Sequence, residues 1–134
     1  MKRWFCCLLF VALPWGAMAE SKSEEAAQPV VSYVNLFPSL VGNYGAGPRL
    51  KYYKADVALR VTGAEAAARV EHHQPLIRNQ LVMLFSEQTD ETLADLEGKE
   101  RLRQTALKQI QQVLTQEEGK PLVEDLLFTN LVVQ

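Results

Sequence analysis

Two adjacent histidines, His72 and His73, flanked by Glu71 and Gln74, form the only histidine cluster and thus the first candidate for metal binding or acid–base chemistry. Successive helix residues point about 100° apart. The pair therefore cannot close on one ion from a single face, as residues four apart can. Two surface imidazoles near a helix end is the reading this spacing favours. The acidic pairs Glu117-Glu118 and Glu124-Asp125 have the right types for a general acid and base. They lack the spaced oxygen ligands of a calcium loop and read as solvated surface. No G-x-S-x-G elbow surrounds any serine. The stretch Gly42 to Pro48 has the glycine density of a phosphate loop, but no Gly-Lys-Ser/Thr ending, and it precedes a strand rather than a helix. A mobile surface turn is expected there. No catalytic residue, cofactor or metal is expected.

Cations gather in two places. Arg49, Lys51, Lys54 and Arg60 crowd one strand, where they could meet anionic lipid or an acidic partner. A charged outer face that protects the strand from edge pairing is the preferred reading. Lys99, Arg101, Arg103 and Lys108 read as the solvated face of a helix.

The frame that must position these residues is small. The chain has 134 residues at net charge −2, enough for one domain and its extensions, and both cysteines, Cys6 and Cys7, lie near the start. Met1-Lys2-Arg3, the apolar run from Trp4 and the small residues Ala17 and Ala19 have the layout of a secretory signal cut between Ala19 and Glu20. The alternative is an uncleaved anchor, but Trp4–Ala19 falls short of the roughly 20 residues of a spanning helix. Removing residues 1–19 takes both cysteines, Lys2 and Arg3, and leaves 115 residues at net −4. Disulfides and thiol nucleophiles are then excluded, and an acidic exported chain is a poor partner for nucleic acid.

Residues 20–29 (ESKSEEAAQP) read as a flexible acidic linker, and 30–134 as one domain. Val30 to Phe37 predicts a short strand stopped by Pro38. Leu50 to Val61 predicts a longer one, with Tyr53, Ala55, Val57, Leu59 and Val61 inward. Thr62-Gly63-Ala64-Glu65 has the pattern of a capping box, opening an alanine-rich helix to about His73. Pro75 then either starts a second helix to Phe85 or kinks one long helix. Thr89-Asp90-Glu91 predicts a capped short turn, and Glu97 to Thr115 the main amphipathic helix, with Leu102, Ala106, Ile110, Val113 and Leu114 as its buried stripe. After Gly119-Lys120-Pro121, Leu122 to Val133 is apolar in both phases, the pattern of a strand inside a sheet covered by helices. The order β-β-α-α-α-β predicts a small single α+β domain, an antiparallel-type sheet packed by helices.

The block Leu50 to Gln134 resembles the periplasmic domain of the flagellar basal-body-associated FliL family. Three stretches carry the likeness in order: Pro75-Leu76-Ile77-Arg78-Asn79 with Leu84, the helix entry Asp95 to Arg103 (DLEGKERLR), and the closing strand Val123 to Gln134 (VEDLLFTNLVVQ). The resemblance implies a stomatin/prohibitin-type fold and a periplasmic protein at the inner membrane beside the flagellar basal body. It further implies a homo-oligomeric ring around the motor's stator that supports torque, swimming and swarming, with no catalytic residues. The family typically has a cytoplasmic tail and a spanning helix where this chain has its short signal. The leading expectation is a non-enzymatic interaction protein, with Arg60, Arg69 and Arg78 on a self-association or partner surface made by the first helical pair and an exposed edge of strand 50–61. The alternative is a small periplasmic module that binds metal through His72 and His73 or anionic lipid through the basic strand. An enzyme has only those histidines behind it.

Overall fold

Strand β3 (Lys51–Thr62) is the spine of the molecule, and every other strand pairs with it. The structure is a computed structural model that describes residues 28–134. The expected signal, its cleavage site Ala19-Glu20 and most of the linker lie outside the described residues. On one side of β3, β1 (Val31–Asn35) pairs with Ala58–Thr62, and β2 (Leu40–Tyr44) pairs with Lys51–Ala55, both antiparallel. They form one broken line, and Leu36 donates its amide to the Val57 carbonyl across the break at 2.9 Å. On the other side β4 (Val123–Val133) runs antiparallel to β3 from Tyr53 to Val61, with register shifts at Asp56/Val57 and Arg60/Val61. Between β3 and β4 the chain forms α1 (Ala64–His72), α2 (Gln74–Ser86), α3 (Asp90–Ala94) and α4 (Leu96–Glu118). The domain is α+β, as expected.

The alternation of β3 translates directly into burial: Tyr53, Ala55, Val57, Leu59 and Val61 are at most 2% exposed. Helices α1, α2 and α4 cover that face, where Val70, Ile77, Leu81, Phe85 and the expected stripe of α4 complete the core. Each such aliphatic or aromatic side chain contributes about 1.5–3 kcal/mol on burial. Tyr53 stacks on Phe85 with ring centroids 4.3 Å apart, and Phe85 meets Phe128 edge-on at 5.7 Å.

Three expectations change, and one open alternative is resolved in favour of two helices. Gly42, Asn43 and Tyr44 belong to β2, so the surface turn is shorter than expected; the ring of Tyr53 occupies the space where a side chain at position 42 would stand. Thr62 is not a helix cap. It ends β3 and donates its hydroxyl to Glu124 Oε1 at 2.5 Å, while Gly63, at φ 95°, turns the chain into α1 without a side-chain cap. The helical run divides at His73, making α1 and α2 separate. Finally, among the described residues β4 is an edge strand rather than an interior one, and no helix covers the sheet's second face: Tyr33, Val41, Tyr52 and Val132 are 42–64% exposed on it. The Thr89 cap is present, with its hydroxyl accepting from the Thr92 amide, and Gly119 closes α4 in the left-handed conformation at φ 75°.

Candidate functional site

The three arginines singled out by sequence occupy different environments. Arg60 stands on the open face of β3, in register with Tyr33 and Asp125, and its Nε lies 3.5 Å from Glu124 Oε2. Arg69, on the exposed side of α1, has Nη1 3.8 Å from Glu118 Oε1. Arg69 lines an open groove of about 640 Å³ between Thr62–Arg69 and Glu118–Glu124, and Glu124, which also lines it, is the partner of Arg60. Arg78 is elsewhere. Its Nη1 donates to the Pro38 carbonyl at 2.5 Å, so α2 clamps the break between β1 and β2. The edge expected to accompany these residues does not exist, because β3 is paired on both sides. For the same reason the cations of β3 cannot be edge protection. Lys51 pairs with Asp90, and Arg60 with Glu124.

The histidines divide. His72 is exposed; His73 is half-buried, with Nε2 2.6 Å from Glu118 Oε1. That contact ties the α1–α2 corner to the end of α4. The His73 hydrogen bond holds the Glu118 carboxyl below its ordinary range against the opposing effect of burial, and Arg69 adds to the lowering.

Three of the four paired acids are ties, while Glu117 stays exposed as expected. Glu118 meets His73, Glu124 meets Thr62 and Arg60, and Asp125 accepts from Arg103 Nη1 at 2.6 Å. Arg103 is thus not a solvated side chain of α4; it also donates to Glu100 Oε1 at 2.5 Å and to the Leu126 carbonyl at 3.1 Å. Its hydrogen bonds lower the Glu100 carboxyl to about 2 and raise the guanidinium further. Asp56, on the open face, accepts from Ser39 and from Asn130, and the Ser39 hydroxyl is the main reason its carboxyl is held low.

Among the described residues no group of three or more His, Cys, Asp or Glu side chains could hold a metal ion. Most of the ion pairs join one element to another, while Glu97–Arg101 and Glu100–Arg103 lie within α4. What the fold leaves available is surface: the charged groove, the open sheet face and the outer edge of β4. The last two were missed by sequence reasoning. The available signal is the apolar residues in the outward phase of each strand, Tyr33, Val41, Tyr52, Leu127 and Val132.

The class so defined is a small open-faced α+β domain in which Glu118, Glu124, Asp125 and Arg103 tie elements together. Residues 33–134 match the family described as flagellar basal body-associated protein FliL. The chain is also 28% identical over 114 residues to a protein named flagellar protein FliL from Aquifex aeolicus (strain VF5), an alignment covering 84% of this chain and 68% of that one. The chain belongs to the flagellar basal body-associated FliL family.

Proposed function

We propose that this protein is a non-enzymatic accessory of the flagellar motor. It works on the periplasmic face of the inner membrane, where its domain assembles as a homo-oligomeric ring of stomatin/prohibitin type and docks on stator or basal-body proteins. Its effect is to support swimming, swarming and control of rotation. Residues 1–19 serve as the export signal or a short anchor, 20–29 as tether and 30–134 as the working domain. The observation that carries this reading is the family match, which runs from β1 to the end of the chain and so takes in the whole folded unit. One feature supports it: the open sheet face presents tyrosines, a residue type enriched where protein partners bury each other.

Arg69, which lines the groove, Arg60, on the open sheet face, and Arg78, on α2, are the partner-facing cations of this reading. Deletion of the gene should reduce swimming in soft agar and swarming on stiff agar. Complementation with the Arg60→Glu or Arg69→Glu variant should restore less motility than wild type. Unchanged motility in the deletion strain would sink the proposal; full complementation by both variants would remove the arginine surface from it.

A further inference from the structure

Among the described residues, β4 pairs with β3 on one side and with no strand on the other. The two halves of this free edge are treated differently. Over Val123–Leu126, α4 covers the backbone: Gln111 Nε2 donates to the Val123 carbonyl at 2.9 Å and Arg103 Nη1 to that of Leu126 at 3.1 Å, beside the charges of Glu124 and Asp125. Over Leu127–Val133 there is neither charge nor proline, two of the devices that stop an edge strand from pairing. The side-chain hydrogen bonds of this half run inward to β3, from Thr129 Oγ1 to the Asp56 carbonyl at 3.2 Å and from Asn130 Nδ2 to Asp56 Oδ2 at 3.3 Å. Alongside it lies a groove of about 400 Å³, lined by Leu127, Phe128 and Leu131 of β4 and by Leu96, Lys99, Glu100 and Arg103 of α4. Leu96 is 83% exposed at its mouth.

A bare strand edge next to a groove between strand and helix suits strand addition. Main-chain hydrogen bonds give affinity, and the groove takes alternate side chains. We propose that Leu127–Val133, with Leu96 and Lys99, is a docking groove for an extended segment of a partner protein, apolar at alternate positions and carrying a carboxylate opposite Lys99. Charge selects this occupant over a second copy of the chain. Arg103 is already matched by Glu100 and Asp125, whereas Lys99, half-buried in the groove wall, has no ion-pair partner among the described residues. Residues 127–133 contain no carboxylate, so pairing with the same segment of a second copy leaves Lys99 unanswered. The groove is separate from the arginine surface, and the inference stands apart from the motor reading.

Selection of random phage-displayed peptides on the full chain, followed by amide hydrogen exchange with an enriched peptide, tests this. Enriched peptides should alternate apolar and polar residues around an Asp or Glu and protect residues 127–133. Lys99→Glu should weaken binding about tenfold, and replacing the peptide's acid by lysine should restore it on that variant, which a folding defect would not allow. No enrichment, protection confined to other segments, or a chain that dimerises with 127–133 protected before peptide is added would each overturn the proposal.

Discussion

Glu118 is the residue on which three elements converge, and it makes the molecule's acid response predictable. Its folded pKa is depressed from the ordinary 4.5, chiefly by the hydrogen bond from His73. A depressed carboxyl contributes stability that is present above its unfolded pKa and lost as pH falls through the folded one. Glu100, lowered to about 2 by Arg103, and Asp56 act in the same sense. Stability should therefore decline below about pH 5. Glu118→Gln should be less stable than wild type at neutral pH and should lose less on acidification, as measured by urea unfolding across that range; equal slopes for both proteins would contradict the tie. Gly42 is the second informative residue. A Cβ there would stand 2.8 Å from the Tyr53 hydroxyl oxygen, and the Tyr53 ring is buried against Phe85 and cannot retreat freely. Gly42→Ala should cost about 1–3 kcal/mol in denaturant unfolding through overpacking.

Elements follow their local signals where one face of a segment decides its fate. In β3 the inward residues alternate with charged ones, and the five expected core positions are all buried. In α4 the stripe from Leu102 to Leu114 is buried as its spacing implies, and Gly119 ends the helix. No neighbouring atom lies within 4 Å of a Cβ at position 119, so Gly119→Ala should cost only the left-handed backbone penalty, about 1–2 kcal/mol, in a thermal or denaturant melt. A larger loss would mean the position has a packing role. Signals failed where neighbours decide. Three glycines concealed β2, because Gly42 is in the strand for the sake of Tyr53 rather than for a turn. Thr62 and Glu65 have the spacing of a capping box, yet the strand holds Thr62 one residue before the helix cap. The double apolar phase of β4 predicts burial on both faces, and only one face is covered among the described residues. Periodicity cannot distinguish a face covered within the chain from one left open, as Leu127 and Val132 are. The candidate site was less legible than the fold. Arg60, Arg69 and Arg78 could be chosen as cations, but their pairing with Glu124, Glu118 and the Pro38 carbonyl depends on contacts far apart in the chain.

At the scale of the whole molecule, the domain has a closed side and an open side. Helices seal the core on one face of the sheet; among the described residues nothing covers the other face or pairs with the outer edge of β4 over Leu127–Val133. This asymmetry suits a component that works by contact, and it lies within the span matched by the FliL family. The central claim is that the contact is made at the flagellar motor and raises its output. The most direct test is the torque of single motors, read from beads on flagellar stubs in a deletion strain before and after the wild-type protein is supplied. The account predicts reduced torque in the deletion strain and recovery on resupply; motors that turn with wild-type torque without the protein would contradict it.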